Sequence, residues 1–470
     1  MIAFDNSFAR LLPQMFTRIG PTPVPAPQML AHNDALASML GIDPDWLTTR
    51  EALAVFAGNT NPAGAAPLAQ LYAGHQFGNW NPQLGDGRAI LLGEVVGTDG
   101  IRRDIQLKGS GPTPYSRSGD GRAWLGPVLR EYLVSEAMAA MGVPTTRALF
   151  AATTGETVHR ETALPGAVLT RIAQSHIRVG TFQVHAARQD RAALQALTDH
   201  VIARHYSQAD GIPGLLDAVV AAQARLIARW MGLGFIHGVM NTDNMAVSGE
   251  TIDYGPCAFM DGYDPATVFS SIDRMGRYAY ANQPGIALWN LAQFATALIP
   301  LMPDQDAAIE DFTGRINRFG DLYQAEWVSV FGAKIGLADP GLDDADLIQT
   351  LLTLMAQDRL DFTNTFAGLN GPDIASQFSD AAGFADWVAA WQTRRSVDHA
   401  TIMAAANPRV IPRNHRIEEV IVAAVAGDMA PFHKLLGVVT QPFAPLDAAR
   451  APYAAPPTPQ EIVAATFCGT

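Results

Sequence analysis

The sequence is short of the features that mark several classes of protein. Cysteine occurs only twice among 470 residues, at Cys257 and Cys468. Two cysteines are too few for a disulfide framework, and these two lack the spacing of metal ligands. Charged residues make up 16% of the chain against 48% hydrophobic ones, which excludes a disordered scaffold and indicates a compact globular protein.

Positive charge is also scarce. The 32 Lys and Arg residues are outnumbered by 45 Asp and Glu, and the net charge is -13 at pH 7. A chain of this charge repels the phosphate backbone of nucleic acids, so no nucleic-acid partner is expected.

The sequence shows no secretory signal and no long uninterrupted apolar run. The N-terminus MIAFDNSFARLL lacks a basic region followed by an apolar run with a small-residue cleavage site. The richest apolar stretch, Leu226 to Met240, is interrupted by Arg229 and His237 and is not expected to cross a bilayer. We therefore expect a cytoplasmic protein without membrane contact, with a monomer as the default expectation.

The first part of the chain carries strand patterns. AILLGEVV and IRRDIQLK, joined by the turn GTDG, predict a hairpin between Ala89 and Lys108. In its second strand Ile105 and Leu107 alternate with polar residues, so Lys108 projects from the opposite face. The run VLREYLVSEAMAAMG predicts a helix that stops at Gly142. A second strand pair is expected at ALFAATTGETVHR and AVLTRIA.

The second part of the chain is helical in pattern. Helices are predicted over Ala192–Arg204, Leu215–Met231, Gly285–Leu301, Asp306–Val328, Asp344–Phe366, Ala381–Arg394 and Ile417–Gly427. The Pro-rich segment Pro21–Gln28 and the tail from Leu446 are predicted to be extended. Strands followed by helices predict an α+β fold of two lobes with a cleft between them.

The stretch FIHGVMNTDNMAVSGETIDYG, residues 235–255, resembles the phosphoryl-transfer loop of a kinase. Such a loop, H-[RG]-D-x4-N, places a catalytic Asp two residues after the His and a metal-binding Asn seven after it. Here Val239 stands where the Asp belongs, while Asn244 falls on the metal position. Nine residues later Asp253 begins Asp-Tyr-Gly, which is similar to the kinase Asp-Phe-Gly.

Four residues match the remaining parts of a nucleotide-transfer site in kinase order. Lys108 ends a strand and would contact phosphate, and Glu131 on the next helix would pair with it. Asn244 and Asp253 offer an amide and a carboxylate, which suits Mg²⁺ shared with substrate phosphates. Together they predict a kinase-like fold.

Glycine-rich loops flank the lysine strand. We interpret two loops as a phosphate cradle: QLGDGRA, with Gly85, Gly87 and Arg88, and a second Gly-Asp-Gly-Arg at residues 119–122. Glycines expose backbone N–H groups, and arginine binds phosphate in a bidentate manner. YAGHQFG, residues 72–78, is interpreted as a turn or a close-packing site.

These motifs together resemble the selenoprotein O family, also called SelO or YdiU. The resemblance is carried by YAGHQFG, QLGDGRA, LKGSGPTPYSRSGDGRA, LREYLVSEAM, HGVMNTDNM, TIDYGP and NPRVIPRNH, in family order, with TFCGT at the end. It implies a bilobal kinase-like fold in which ATP lies flipped, so that the α-phosphate faces the acceptor. It also implies AMP transfer from ATP to Ser, Thr or Tyr hydroxyls of proteins, with Mg²⁺ or Mn²⁺ as cofactor.

The resemblance further implies roles for individual residues. Asp243 takes the proton-acceptor role, and Asn244 and Asp253 are the metal ligands. The implied nucleotide-binding residues are Gly85, Gly87, Arg88, Lys108, Asp120, Gly121, Glu131, Arg171 and Arg178. The expected domains are an N-terminal extension (1–60), a kinase-like N-lobe (61–178), a helical C-lobe (179–445) and a tail (446–470).

The sequence departs from the family at several points, and other functions stay open. Pro112 stands where many members carry a basic residue, and Ser118-Gly119 precedes Asp120 where a bulky side chain is lost. Eukaryotic members carry selenocysteine near the C-terminus, where this chain has Cys468, and pairing of Cys468 with Cys257 would tether the tail. The alternatives are UMP transfer from UTP with Mn²⁺, ordinary phosphoryl transfer, which Val239 disfavours, and a nucleotide-binding pseudokinase scaffold.

Overall fold

Strands dominate the first part of the molecule, as the sequence predicts. The computed structural model describes residues 2–467. The strands within them are β1 (Phe16–Arg18), β2 (Gln28–His32), β3 (Leu68–Gln70), β4 (Gly74–Gln76), β5 (Asn79–Asn81), β6 (Ala89–Val96), β7 (Arg102–Lys108), β8 (Ala123–Trp124), β9 (Arg147–His159), β10 (Ala163–Ala173), β11 (Phe235–Ile236) and β12 (Ala258–Phe259).

Eight of these strands form one antiparallel sheet in the order β1-β3-β6-β7-β10-β9-β2, with β8 on the side of β10. The predicted hairpin is confirmed: β6 pairs with β7 from Ala89 opposite Lys108 to Val96 opposite Arg102. The second predicted strand pair is β9 and β10. Strand β10 also pairs with β7, which brings Arg171 opposite Gln106 in the centre of the sheet.

Helices fill the rest of the described chain. They are α1 (Asp34–Met39), α2 (Pro44–Leu47), α3 (Arg50–Phe56), α4 (Leu125–Ala140), α5 (Val179–Ala187), α6 (Arg191–His205), α7 (Gly211–Gly232), α8 (Gln283–Leu298), α9 (Gln305–Asn317), α10 (Phe319–Lys334), α11 (Ala345–Asp358), α12 (Phe362–Gly368), α13 (Ala381–Arg394), α14 (His399–Ala406), α15 (Asn414–Val425), α16 (Ala430–Val439) and α17 (Ala451–Ala454).

Both faces of the sheet are covered by helices. Ile105 and Leu107 of β7 belong to a buried cluster with residues of the short helices α1 to α3. The opposite face packs on α4, whose Leu129 and Leu133 are fully buried. Burial of one such side chain contributes about 1.5–3 kcal/mol. Lys108 therefore lies, as predicted, on the face opposite Ile105 and Leu107, and that face is also covered.

Two predicted helices are each divided into two. The single helix predicted over Asp306–Val328 is α9 and α10, which separate at Arg318; both helices pack against α7. The helix predicted over Asp344–Phe366 is α11 and α12. Arg359 between them has a left-handed backbone (φ 48°), and Asp361 then caps the start of α12. Periodicity alone does not reveal either break, because the apolar spacing continues across it.

The tail is extended apart from one short helix. Helix α17 corrects the prediction that the chain from Leu446 onward lacks regular structure. Near its end the tail contacts the loop that follows Asp253, where Thr466 forms a β-bridge with Ser270. The N–H of Thr466 donates to the carbonyl of Phe269 (2.7 Å), and its hydroxyl donates to the carbonyl of Pro256 (2.5 Å). Cys468, and with it any pairing with Cys257, lies outside the described residues.

Two helical segments, Gly211–Gly232 and Tyr280–Leu301, are long and apolar enough to cross a membrane by length and composition. Core helices of globular proteins meet the same criterion. About half of each segment is buried inside this molecule (50% and 44%), where α7 packs on α8 and α10.

Candidate active site

The predicted lysine–glutamate pair is present. Lys108 Nζ at the end of β7 lies 2.6 Å from Glu131 Oε2 on α4. The same ammonium group donates to Asp253 Oδ1 at 2.9 Å. The strand lysine therefore joins α4 to the Asp-Tyr-Gly segment, and its contact with Asp253 was not among the sequence predictions.

Two buried arginines converge on the same aspartate. Arg171 of β10 binds Asp253 Oδ1 (2.6 Å) and Glu131 (3.2 Å), and Arg178 at the start of α5 binds Asp253 Oδ2 (2.6 Å). Burial alone would raise the pKa of Asp253, but the charges of Lys108, Arg171 and Arg178 outweigh it and hold that pKa well below its ordinary value. Asp253 is therefore a carboxylate. We call Lys108, Arg171 and Arg178 the cation cluster.

A second layer of polar side chains fixes the arginines. Gln106 Oε1 accepts two hydrogen bonds from Arg171 (3.2 and 2.6 Å), and Gln106 Nε2 donates to Asp86 Oδ2 (3.2 Å). Asp86 also lies 3.8 Å from Arg178, whose guanidinium stacks 4.7 Å from the ring of Tyr72. Burial raises the pKa of Asp86 to about 6, although Arg178 lowers it. Asp86 and Gln106 are thus positioning residues for the cation cluster.

Asp243 lies in a short 3-10 turn, Thr242–Asn244, at the edge of the cavity. Its Oδ2 accepts a hydrogen bond from Gln76 Nε2 at 2.9 Å. Its Oδ1 is buried and has no hydrogen-bond partner within residues 2–467. Burial raises the pKa of Asp243 to about 6, although the Gln76 hydrogen bond and the charge of Arg178 lower it. A carboxylate that is held at one oxygen and has no hydrogen-bond partner at the other among the described residues is suited to accept a proton.

The segment YAGHQFG, residues 72–78, clamps this turn. The N–H of His75 donates to the hydroxyl of Thr242 (2.7 Å), and the N–H of Phe77 to Oδ1 of Asn241 (3.0 Å). Gly74 is required here, because a Cβ on it would lie 2.7 Å from Asp243 Oδ1. The interpretation of this segment as a close-packing site is therefore correct, and what it packs against is Asp243.

His237 supports the loop from behind. It is fully buried, one ring nitrogen lies 2.8 Å from the carbonyl oxygen of Ile252, and the ring stacks on Trp230 at 5.4 Å. Burial lowers the pKa of His237, which favours the neutral imidazole. The histidine thus ties the segment before Asp243 to the residue before Asp253.

The glycine-rich loops form the outer wall of a cavity of about 590 Å³, within the size range of small-ligand sites. Its lining includes all the residues of the cation cluster together with Asp243, Asn244 and Asp253. The loop residues predicted to hold nucleotide all line it: Gly85, Gly87, Arg88, Asp120 and Gly121.

Within the loops the two arginines differ. Arg88 Nη1 is buried with no hydrogen-bond partner in the described chain, so it is available to a ligand. Arg122 is occupied by Glu156 (2.8 Å) and by the carbonyl of Thr22 (3.2 Å). The second Gly-Asp-Gly-Arg loop is therefore held in place by its arginine, and only the first has an arginine that is available to phosphate.

The comparisons with known proteins fit this site. The family model described as protein adenylyltransferase SelO matches residues 1–440. The chain belongs to the SelO family. Relatives named protein nucleotidyltransferase YdiU are 61% identical in Ruegeria pomeroyi (100% of this chain, 99% of the relative), 61% in Roseobacter denitrificans (99% and 99%) and 55% in Rhizobium rhizogenes (100% and 97%).

All twelve residues predicted from the SelO resemblance lie within the matched range, and eleven of them line the cavity. Glu131 is the exception; it lies behind the wall as the partner of Lys108 and Arg171. The structure thus brings the predicted residues together, and their individual roles stay predictions.

Sequence reasoning missed Gln76, Asp86 and Gln106. A signal existed for two of them: Gln106 alternates with Leu107 and so shares the face of Lys108, and Asp86 lies between two glycines already assigned to the cavity. For Gln76 there was no signal, because its contact with Asp243 spans 167 residues of sequence.

Within residues 2–467 no group of three or more His, Cys, Asp or Glu side chains forms a ready metal site. Asn244 and Asp253 nevertheless fit Mg²⁺ as two oxygen donors, because this ion is commonly held by one or two protein ligands plus substrate phosphates and water. The amide nitrogen of Asn244 donates to the carbonyl of Val239 (2.9 Å), which leaves its amide oxygen for a ligand.

Proposed function

We propose that this protein nucleotidyltransferase transfers AMP from ATP to Ser, Thr or Tyr hydroxyls of other proteins and releases pyrophosphate. The observation that carries the proposal is that Asp243 and a buried cluster of three cations line one cavity. One carboxylate oxygen of Asp243 accepts a hydrogen bond from Gln76, and the other has no hydrogen-bond partner among residues 2–467. The proposed arrangement is a kinase-like one with two lobes, of residues 61–178 and 179–445, and the nucleotide between them.

The cation cluster supplies the charge that a triphosphate requires. Three positive side chains meet at one aspartate, and Arg88, which lines the same cavity, adds a donor without a hydrogen-bond partner among residues 2–467. Fixed cations that line a cavity stabilise the charge that develops on phosphate oxygens. The residues proposed to hold the nucleotide are Gly85, Gly87, Arg88, Lys108, Asp120, Gly121, Arg171 and Arg178, with Glu131 orienting Lys108.

In the proposed reaction the acceptor oxygen attacks the α-phosphorus. The hydroxyl proton passes to Asp243 Oδ1, a P–O bond forms to the acceptor, and the bond between the α-phosphorus and the bridging oxygen breaks, so that pyrophosphate carries away the electron pair. Val239, at the position of a kinase base, is buried and apolar and cannot accept the proton. This is why transfer of the γ-phosphoryl group is disfavoured.

Asn244 and Asp253 are proposed to hold Mg²⁺ or Mn²⁺, which when bound would neutralise phosphate charge. Both oxygens of Asp253 are engaged by the cation cluster. We expect these cations to turn toward the phosphates when nucleotide binds, which frees a carboxylate oxygen. The proposed surroundings are cytoplasmic, and the proposed oligomeric state is a monomer.

The deciding experiment compares ATP labelled at the α- or the γ-phosphate, with Mg²⁺ or Mn²⁺. We expect label on protein from the α-position only, and a mass increment of AMP in mass spectrometry. Label from the γ-position would mean phosphoryl transfer and would sink the proposal. Asp253→Ala should abolish labelling, and an active Asp253→Ala protein would contradict the metal assignment. UTP in place of ATP tests the choice of base.

A further inference from the structure

A second depression, of about 540 Å³, opens beside the nucleotide cavity, and Phe77 lines both. The other residues that line it are Met275, Arg277, Ala281, Asn282, Gly285 and Ile286. The N–H of Phe77 is held by Asn241, two residues before Asp243. The depression, which we call the outer depression, therefore begins close to the carboxylate that faces the acceptor.

The segment between the two cavities exposes apolar side chains. Met275 is 92% exposed and Ile272 is 60% exposed, although large apolar residues elsewhere are mostly buried. Ile272 also lines the nucleotide cavity. A single exposed apolar residue is ordinary, but two on one segment that borders a reactive cavity are typical of a binding surface.

Arg277 is an ordered cation with no anionic partner. Its guanidinium stacks over Trp289 (4.9 Å) and Tyr278 (5.7 Å), and its backbone N–H is held by Asp273 (2.9 Å). No ion pair joins its guanidinium to a carboxylate among residues 2–467, where Asp273 holds only the backbone N–H, and its Nε is buried without a hydrogen-bond partner. In a chain of net charge -13, this arginine is ready for an anion supplied from outside.

We propose that the outer depression binds the segment of the acceptor protein that bears the hydroxyl, and that Arg277 pairs with an acidic side chain near that hydroxyl. This proposal rests on the proposed function. Phe77 lines both cavities, so an acceptor that reaches Asp243 from the outer depression passes Phe77 and lies over Met275 and Arg277. Because stacking fixes the guanidinium beforehand, a carboxylate gains a bidentate contact at low entropic cost.

The test uses short synthetic peptides that carry one serine flanked by Glu, by Gln or by Lys, with α-labelled ATP. For the wild-type protein we expect KM for the Glu peptide to be lower than for the Lys peptide by on the order of tenfold, with similar kcat, since complementary charge acts on binding. Arg277→Glu should reverse this preference and leave ATP affinity unchanged. Met275→Ser should raise KM for all three peptides alike.

Arg50→Glu is the matched control, because Arg50 is exposed at the start of α3, lines neither cavity and gives the same change in net charge. Its peptide preference should equal that of the wild type. Equal use of the Glu and Lys peptides by the wild type, or an unchanged preference in Arg277→Glu with ATP affinity intact, would overturn the proposal. Failure of α-label to reach any protein or peptide would instead overturn the proposed function itself.

Discussion

At the scale of single residues, the two oxygens of Asp243 have different surroundings. Oδ2 accepts the Gln76 hydrogen bond, and Oδ1 is buried without a partner in the described chain. Burial raises the pKa of this carboxyl to about 6, which is closer to the operating range of a general base than an ordinary aspartate is. Gln76 is therefore a positioning residue that acts through Asp243.

The first prediction concerns pH. A base acts only when ionised, so kcat/KM should rise with pH through about 6 and level off above it. Gln76→Leu removes a donor that stabilises the carboxylate, so the pKa should rise and the rising limb should move to higher pH. The measurement is the pH profile of AMP transfer. Gln83→Leu, which changes an exposed glutamine, should leave the profile unchanged, and a Gln76→Leu profile that superposes on the wild type would contradict the role.

The second prediction separates Asp243 from Val239. Asp243→Ala should lower kcat by about 10²–10⁴-fold, the usual contribution of a general base. Val239→Ala removes only apolar volume from the cavity wall, so AMP transfer should change by no more than a few-fold. Nucleotide binding, measured by calorimetry, checks that both variants are folded. A large loss of AMP transfer in Val239→Ala, together with full activity in Asp243→Ala, would show that Asp243 is not the base.

At the scale of elements, strand β4 and the 3-10 turn of Asp243 pack closely because the residues at their contact include glycines, which have no side chain. Gly74 faces the Asp243 carboxyl, and Gly180 at the start of α5 faces the carbonyl oxygen of Ala73. A Cβ on Gly180 would lie 2.1 Å from that oxygen. No side chain fits at either point without displacing backbone or the Asp243 carboxyl. The YAGHQFG segment is therefore part of the machinery that sets the position of Asp243.

The third prediction tests this fit. Gly74→Ala places a methyl group 2.7 Å from Asp243 Oδ1 and should displace that carboxylate. A displacement of about 1 Å can cost on the order of 10²-fold in rate, so kcat should fall by that order while nucleotide affinity is retained. Gly437→Ala in α16 is the control, because its Cβ would meet nothing within 4 Å. Wild-type kcat in Gly74→Ala would show that the contact is unimportant.

At the scale of the whole molecule, Arg413 of the NPRVIPRNH motif joins three distant segments. It binds Asp261, donates two hydrogen bonds to Asp361 (2.7 and 3.1 Å), and donates to the carbonyl of Ala454 (2.9 Å). Its side chain is fully buried. The motif therefore ties the chain after the Asp-Tyr-Gly segment to the start of α12 and to the tail, a structural role that its place in the family pattern did not indicate.

The fourth prediction follows from that burial. Arg413→Met leaves two partly buried carboxylates without a counter-charge, so the free energy of unfolding should fall by about 3 kcal/mol. Denaturant unfolding measures it. Arg416→Met in α15, which follows Arg413, removes partly exposed pairs with Glu419 and Glu461 and should cost less than about 1 kcal/mol. Equal losses in the two variants would mean that burial of Arg413 is not the cause.

The sequence by itself determined the local features. The β6–β7 hairpin, helix α4 and the face of Lys108 follow from periodicity and from turn and stop signals, which act over a few residues. The pairing of Lys108 with Glu131 was predicted from the kinase-like order of the two residues. The spacing of Asp243, Asn244 and Asp253 is likewise local. Arg171 and Arg178 were found only through the family resemblance, since an arginine taken alone is usually a solvated surface charge.

Only the tertiary structure decided which of these groups meet. Arg171 and Asp253 are 82 residues apart, and Gln76 and Asp243 are 167 apart. Such contacts depend on how the sheet, α4 and α5 pack, and so do the breaks at Arg318 and Arg359. A buried carboxylate needs several cations to remain charged, and a sequence without coordinates does not show where burial brings those cations to one point.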